Sequence, residues 1–210
     1  MAMVPDRPTS AAEPQPAWDI ALLYPNQGEW REFDYLDLDT NQLVELVNGN
    51  LEVLPMPTYT HQQLVWYLAE ILRKYVSARQ LGGVVFAPMP IHIRPRTFRE
   101  PDVIFVPKEQ GVKPDDKYLR GAGLVMEVVS ADDKSHKRDY HEKRADYGEL
   151  GIPEYWIVDP QIERITVLTL EGQQYRVHGE FVPGQQATSV LLSGFAVDVT
   201  ATFVAGKNPS

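Results

Sequence analysis

Cysteine is absent from the 210 residues of this chain. Disulfide bonds, thiolate zinc sites and cysteine nucleophiles are therefore excluded. Long apolar runs are missing as well, since no stretch approaches the roughly 18 residues that a membrane-spanning helix needs. The N-terminus has no basic segment followed by an apolar one, as a secretory signal would have. We therefore expect a cytoplasmic protein with no membrane partner.

The motifs of several common enzyme classes are also missing. There is no G-x-S-x-G elbow, and none of the five histidines lies beside a serine in a recognisable hydrolase setting. His136 and His141 are five residues apart and would point to different helix faces, which argues against a zinc site. No phosphate-binding glycine loop of the Walker or dinucleotide type is present.

The chain has no overall surplus of basic residues. Twenty lysines and arginines stand against 29 acids, for a net charge of -9, which opposes binding to nucleic acid. Two local clusters offset this objection. The segment IHIRPRTFR holds Arg94, Arg96 and Arg99 without an acid, and KSHKRDYHEKR adds five basic residues. Each cluster is either a solvated face or a phosphate-binding surface.

Two strand-like apolar runs between residues 100 and 130 each carry one carboxylate. PDVIFV has Asp102 at its start, and GLVMEVVS has Glu127 among residues that otherwise predict a fully buried strand. A buried carboxylate needs a cation, a hydrogen-bond network or a raised pKa. Glu127 therefore requires a partner.

The helix predicted after these strands supplies a candidate partner, Lys143. At about 100° per residue, one buried stripe is predicted to hold His136, Tyr140, Lys143, Tyr147 and Leu150. The opposite side is predicted to hold Arg138, Asp139, Glu142, Ala145, Asp146 and Glu149. An ammonium group on the inner stripe can meet both strand carboxylates. Two acids and a lysine can hold Mg²⁺ or Mn²⁺ and activate water for phosphodiester cleavage.

Two further residues are candidates for the site. Glu45 lies in QLVELVNGNLEVLP, which predicts two strands about an Asn-Gly turn. It is either an exposed cross-strand residue or a third acid that faces the site. His61 lies in the first turn of a predicted amphipathic helix over residues 60 to 79. It is either a capping or packing residue or a group that contacts and orients the residues of the site.

The remaining pattern predicts one α/β (α+β) domain with a mixed central β-sheet flanked by helices. A short helix is expected near residues 31 to 38, and a longer one ends at Gly151. Strands are expected at residues 84 to 93, 102 to 106 and 123 to 129, and in EYWIVD and RITVLTL. Short strands and turns follow. We expect a disordered tail over residues 1–17, a single domain over 18–204 and a C-terminal tail over 205–210.

Several of these segments, in this order, resemble the Uma-two family of restriction-endonuclease-like proteins, within the PD-(D/E)XK nuclease superfamily. They are VELVNGNLEVLP, His61, PDVIFV, MEVVS, DYHEKRADY and GIPEYWIVDP. The resemblance implies a restriction-endonuclease-like core, with Asp102, Glu127 and Val128 at the metal. It also implies catalytic roles for Asp102, Glu127, Lys143 and Glu45. Val129 stands where the lysine of an E-x-K tripeptide would be, so the lysine is displaced onto the helix.

The resemblance implies a metal-dependent endonuclease, a hydrolase that uses Mg²⁺ or Mn²⁺. The expected partner is nucleic acid, DNA in the first instance. A homodimer is compatible with this function, because two active sites cut two strands. The alternative is a noncatalytic interaction module with a nuclease-like fold. Asp102 would then be a strand-end cap, and Glu127 and Lys143 would form a structural ion pair.

Overall fold

The computed structural model describes residues 24–40 and 42–207. These residues form twelve strands and five α-helices. In chain order the elements are α1 (Glu32–Leu36), β1 (Val44–Val47), β2 (Asn50–Val53), α2 (Tyr59–Ala78), β3 (Gly82–Phe86), β4 (Ile91–Arg94), β5 (Thr97–Arg99), β6 (Val103–Pro107), β7 (Leu124–Val128), α3 (Asp133–Lys137), α4 (Lys143–Leu150), β8 (Glu154–Asp159), β9 (Arg164–Glu171), β10 (Gln174–Phe181), β11 (Gln186–Thr188), β12 (Ala196–Asp198) and α5 (Val199–Lys207).

A six-stranded sheet with the order β10-β9-β8-β7-β6-β3 forms the centre of the fold. Strands β7 and β8 are parallel and the other neighbours are antiparallel, so the sheet is mixed as predicted. The parallel pair requires a crossover connection, which the helical segment between these strands provides. β7 and β8 are buried along their whole length, in agreement with their almost continuous apolar sequences.

A smaller four-stranded sheet with the order β2-β1-β5-β4 carries the predicted Asn-Gly hairpin. Asn48 and Gly49 both have positive φ, 50° and 81°, as a two-residue hairpin turn requires. The register places Glu45 of β1 opposite Glu52 of β2. A separate two-stranded ribbon pairs β11 with β12.

Helices cover one face of the central sheet. α2 and α5 pack together and, with apolar side chains such as Leu68, Met126, Trp156 and Phe203, form one core. The other face packs against β4 and α4 through a second core that includes Ile91, Tyr147 and Tyr155. Among the described residues, no helix is long and apolar enough to span a membrane.

The segment between β7 and β8 is a helix interrupted by a π-helical turn. α3 runs directly into a π turn at Arg138–Glu142, and α4 continues from it. Asp132 caps the start by accepting a hydrogen bond from Ser135 N at 2.9 Å. Gly151, at φ 84°, ends the segment in the left-handed region as predicted. A π turn inserts extra rotation into the helix and so changes which residues face inward.

Three predictions about elements are wrong. The strand expected at residues 84 to 93 is two strands in different sheets, because Pro88 and Pro90 cannot continue a sheet ladder. The short strands expected at the C-terminus are followed by α5, which includes residues 205–207 of the predicted tail. Arg138, Asp139 and Asp146, expected on the outer helix face, are buried, whereas His136 is exposed. The predicted tail over residues 1–17 lies outside the described residues.

Candidate active site

Asp102 and Glu127 lie side by side at one end of the central sheet. Val103 of β6 pairs with Met126 of β7 in antiparallel register. The next pair of residues along the two strands is therefore Asp102 and Glu127. Asp102 Oδ2 also accepts a hydrogen bond from the main-chain N–H of Val128 at 2.7 Å. The strand register therefore brings together the two acids that the sequence singles out.

Lys143 is the partner that buried Glu127 requires. Its Nζ donates to Glu127 Oε2 at 2.8 Å, and the exposed fractions of the two side chains are 2% and 3%. The other carboxylate oxygen, Oε1, accepts a hydrogen bond from the Tyr147 hydroxyl. Tyr147 is one turn beyond Lys143 on α4, so a single helix face supplies both donors. The inward position predicted for Lys143 and Tyr147 is confirmed.

Glu45 belongs to the same cluster and is fully buried. Its Oε1 lies 3.2 Å from Lys143 Nζ and also accepts the main-chain N–H of Glu100 at 2.9 Å. Its Oε2 accepts a hydrogen bond from Arg99 Nη1 at 2.7 Å. Glu45 is therefore an acid that faces the site and not an exposed cross-strand residue.

A second layer of charges surrounds these residues. Asp139 Oδ1 is 3.8 Å from Lys143 Nζ and 3.3 Å from Arg138 Nε. Asp146 Oδ2 accepts from Arg99 Nε at 2.7 Å. Asp139 and Asp146 reach the same centre as Lys143 because they lie four residues before it and three residues after it, spacings that share a helix face.

Burial raises the pKa of each acid in the cluster, and the neighbouring cations lower it. Burial alone would raise the pKa of Glu45, but Lys143 and Arg99 hold it at about 2. Burial raises the pKa of Asp139 to about 6 against the opposing effect of Lys143 and Arg138. Burial and the neighbouring acids Asp102, Asp139 and Glu45 raise the pKa of Glu127 to about 8, against the opposing effect of Lys143. Of the three acids, Glu127 is therefore the one that most readily binds a proton.

The cluster is accessible to solvent on the side of Asp102 and His61. Their side chains are 15% and 14% exposed, and His61 Nε2 is 3.3 Å from Asp102 Oδ2. Thr58 caps α2 by accepting the His61 main-chain N–H, which fixes the position of the histidine in the first turn. Burial lowers the pKa of His61, but Asp102, Glu127 and the Val128 main chain together raise it above its ordinary value.

A protein-family model described as "Uma2: Putative restriction endonuclease" matches residues 30–200. The chain belongs to the Uma2 family. A solved structure described as "a putative nuclease belonging to DUF820" from Anabaena variabilis has a TM-score of 0.71 to this chain. It is 15% identical in sequence, and the match covers 87% of this chain and 99% of that chain. No curated protein matches the chain. The predicted nuclease-like fold and the family resemblance are therefore confirmed.

Arg94, Arg96 and Arg99 do not form the phosphate-binding surface that we considered from the sequence of this Uma2 chain. Arg99 is 1% exposed and bound to two core acids, so it cannot meet a phosphate at the surface. Arg94 is paired with Asp146 at 2.7 Å and Glu149 at 2.9 Å. Only Arg96 is an exposed member of the three, and its Nη1 donates to the Gly28 carbonyl. Apolar neighbours in sequence concealed the burial of Arg99.

Four charged residues that surround Glu45, Glu127 and Lys143 were not recognised from the sequence as neighbours of the site. These are Arg99, Arg138, Asp139 and Asp146. Arg99 is the last residue of β5, which has only three residues. A strand of this length is too short for an alternation of apolar and polar residues to indicate that Arg99 is buried. One signal was present: Asp139 and Lys143 are spaced i,i+4, as ion pairs on a helix often are.

The donor set fits Mg²⁺ or Mn²⁺ better than other metals. Within the part of the chain that the structure describes, no three His, Asp or Glu side chains converge as a metal-binding group. Zn²⁺ and Ca²⁺ sites usually need three or more protein ligands, whereas Mg²⁺ is commonly held by one or two carboxylates and water. Asp102 and Glu127 meet that smaller requirement. A cation there would compete with His61 for Asp102 and with a proton for Glu127.

Proposed function

We propose that this Uma2 protein is a metal-dependent endonuclease that hydrolyses phosphodiester bonds of nucleic acid, with DNA as the first expected substrate. One observation carries the proposal: Asp102, the residue before β6, lies beside Glu127 of β7, and Lys143 is hydrogen-bonded to Glu127. The family match and the nuclease-like neighbour support this reaction class.

In this proposal Asp102, Glu127 and the carbonyl oxygen of Val128 hold Mg²⁺ or Mn²⁺. When bound, the ion would polarise a phosphoryl oxygen and lower the pKa of a water molecule. Glu45 and Arg99 hold Lys143 in place by surrounding it with fixed charge. Lys143 keeps its proton, because Glu127, Glu45 and Asp139 outweigh the effect of burial on its pKa. An ammonium group next to the reacting phosphate would stabilise the negative charge that develops there.

The alternative is a noncatalytic module in which the same contacts only hold the fold together. The nearly complete burial of Lys143 and its carboxylates favours this alternative, because buried ion pairs also occur in proteins without catalytic sites. The partial exposure of Asp102 and His61 favours the enzyme, since a substrate needs an accessible ligand. This exposure gives a substrate access to the arrangement of Asp102, Glu127 and Lys143, so we propose the enzyme.

A plasmid-nicking assay with Mn²⁺, combined with thermal denaturation, tests the proposal. The wild-type protein should nick supercoiled plasmid and gain thermal stability from millimolar Mn²⁺, because an ion that binds only the native state stabilises it. Asp102→Ala combined with Glu127→Ala should abolish both effects. Glu109→Gln is the control, since Glu109 is an exposed acid in the turn after β6.

Each combination of results has a distinct meaning. A Mn²⁺-dependent stability gain without nicking would support the noncatalytic module. Nicking that persists unchanged in the double variant would identify a contaminating nuclease and remove the site from this position.

A further inference from the structure

His61 lies beside the proposed metal ligands, although the proposed function gives it no role. Its Nε2 is 3.3 Å from Asp102 Oδ2. Glu127 and the Val128 main chain are also close enough to the imidazole to raise its pKa. The three groups that act on His61 are therefore the same three groups to which we assign the metal.

The packing of α2 does not explain why residue 61 is a histidine. The side chain is only 14% exposed, and its Nδ1 is buried without a hydrogen-bond partner among the described residues. A buried polar atom without a partner is unfavourable, and an apolar side chain would avoid that cost. The explanation therefore lies with Nε2, the ring nitrogen that faces Asp102.

The position of this nitrogen is fixed by the structure around it. Thr58 Oγ1 accepts the main-chain N–H of His61 at 3.2 Å and caps α2. Leu64 and Val65, one turn further along the helix, are buried in the core against the central sheet. A ligand that is already held in place loses little conformational freedom when it binds, which favours binding.

The distance between His61 Nε2 and Asp102 Oδ2 fits two ligands of one ion. A hydrogen bond between an ionised N–H donor and a carboxylate is usually about 2.7–2.9 Å long, so 3.3 Å is long for one. Adjacent ligands of an octahedral ion with bonds of about 2.1 Å are about 3.0 Å apart. The described residues contain no group of three convergent acid or histidine side chains. Asp102 and His61 form a pair, while both oxygens of Glu127 accept hydrogen bonds from Lys143 and Tyr147.

We propose that His61 Nε2 is a ligand of the divalent cation, next to Asp102, and that it makes the site prefer Mn²⁺ to Mg²⁺. Mg²⁺ takes oxygen ligands, whereas imidazole nitrogen suits transition-metal ions. Ligation uses the lone pair of Nε2, so a proton on this atom is released to solvent when the metal binds. The inference rests on the proposed function for the presence of a divalent cation, and it adds the selectivity of the site.

Pulsed electron paramagnetic resonance on the full-length protein with Mn²⁺ tests the ligand directly. We expect the spin-echo modulation of a nitrogen bound to Mn²⁺, and we expect labelling with ¹⁵N-histidine to change it. His61→Gln should abolish this signal. His178→Gln, at an exposed histidine of β10, is the matched control and should retain it. A histidine that only orients Asp102 is not bound to the metal, so a wild-type spectrum without a bound nitrogen would overturn the inference.

The selectivity is tested by titration with Mn²⁺ alone and in competition with Mg²⁺. We expect the ratio of the Mg²⁺ and Mn²⁺ dissociation constants to fall about tenfold in His61→Gln, because the lost nitrogen donor favours Mn²⁺. His61→Glu, which offers an oxygen ligand instead, should also lower this ratio. Partners outside the first shell of ligands can weaken metal binding too, so weaker binding alone is not diagnostic. An equal loss of affinity for both ions in His61→Gln would indicate a positioning role and overturn the inference.

These measurements also separate this inference from the proposed function. Mn²⁺ binding that the Asp102→Ala, Glu127→Ala double variant abolishes, but without a bound nitrogen in wild type, would overturn this inference alone. Nitrogen-bound Mn²⁺ without plasmid nicking would overturn the catalytic function and leave this inference in place. A wild-type protein that binds no Mn²⁺ would overturn both. If His61→Gln does not fold, the wild-type spectra with and without ¹⁵N-histidine decide.

Discussion

At the scale of single residues, Lys143 has more ionic contacts than any other side chain described above. Three carboxylates from β1, β7 and the π turn lie within 4 Å of its Nζ. Each of these acids comes from a different part of the chain. Lys143 is therefore both a candidate catalytic group and a connection between the hairpin sheet and the central sheet.

Lys143→Met should separate these two roles. Removal of one partner of a buried ion pair is unfavourable by about 3–5 kcal/mol, and we expect a loss of that size in urea denaturation at pH 8. If enough folded protein remains, nicking should fall by about 10² or more, the scale of one lost electrostatic group. Lys74→Met is the control, because Lys74 is an exposed lysine of α2. A stable and fully active Lys143→Met protein would refute both roles.

The raised pKa of Glu127 predicts how stability depends on pH in the presence of a chelator. An acid whose native pKa is about 8 binds a proton more tightly in the folded than in the unfolded state. The stability it contributes is complete below its unfolded pKa and is lost as the pH rises through about 8. We expect the free energy of unfolding to fall between pH 5 and 8, by at most about 1.4 kcal/mol per pH unit for this group.

Glu127→Gln should reduce that pH dependence, because the amide does not titrate, while Asp139 and Glu100, whose pKa values are also raised, keep their contributions. The pH dependence that Glu45 adds to the free energy of unfolding has the opposite sign, because its pKa is lowered to about 2. The stability that Glu45 contributes is lost only under acidic conditions. Urea denaturation at half-unit pH steps measures both effects. An unchanged slope between pH 5 and 8 in Glu127→Gln would show that Glu127 is ionised in the native protein.

At the scale of elements, the hairpin turn that begins the small sheet depends on one glycine. Gly49 has φ 81°, and a Cβ added there would lie 2.7 Å from the Gly28 carbonyl oxygen. Gly49→Ala therefore combines left-handed strain of roughly 1–2 kcal/mol with a backbone clash. Gly172, at φ 65° in the turn between β9 and β10, has open space around it and serves as the matched control. We expect Gly49→Ala to lower the free energy of unfolding clearly more than Gly172→Ala does.

Elements with a strong local signal were predictable from the sequence. The hairpin, α2, β6, β7 and β8 lie within a few residues of their expected positions. The helix that carries Lys143 was also expected, but the prediction of which residues lie on its buried face was only partly correct. On a wheel at 100° per residue, Asp139 and Asp146 lie about 40° and about 60° from Lys143, so they belong at the border of the inner stripe and not opposite it. The π turn itself was not predictable, because tertiary contacts stabilise it. The Tyr155 hydroxyl, for example, donates to the Asp139 carbonyl at 2.7 Å within that turn.

The candidate site was predictable to a similar degree. Asp102, Glu127 and Lys143 were identified from carboxylates and a lysine in apolar surroundings, and their contacts agree with that interpretation. Arg99 and Asp146 were not, because the partners that explain their burial lie 54 and 47 residues apart in sequence. Pairings of that kind depend on the packing of the two sheets, which no local pattern encodes.

At the scale of the whole molecule, the net charge of -9 opposes contact with nucleic acid. Burial of Arg99, Arg138 and Lys143 removes three cations from the surface that could have offset it. Lys134 and Lys137 of α3 remain exposed. We therefore expect any contact with phosphates to depend on a small number of lysines.

Fluorescence anisotropy with a labelled DNA duplex should show weak binding that falls steeply with salt. Lys134→Glu with Lys137→Glu should weaken it further and reduce the salt slope by roughly one for each lysine that contacts a phosphate. Lys74→Glu, at an exposed lysine of α2, is the control. Tight binding at high salt that ignores all three lysines would place the nucleic-acid surface elsewhere.

The crossover between β7 and β8 also affects when the site can form during synthesis. Glu45 and Glu127 precede Lys143 in the chain, but the helix that carries Lys143 packs against Tyr155 of β8 and Tyr175 of β10. A chain still emerging from the ribosome lacks these tyrosines until most of the protein has been made. The acids therefore remain without Lys143 until then, and the complete charge cluster can form only after the central sheet is complete.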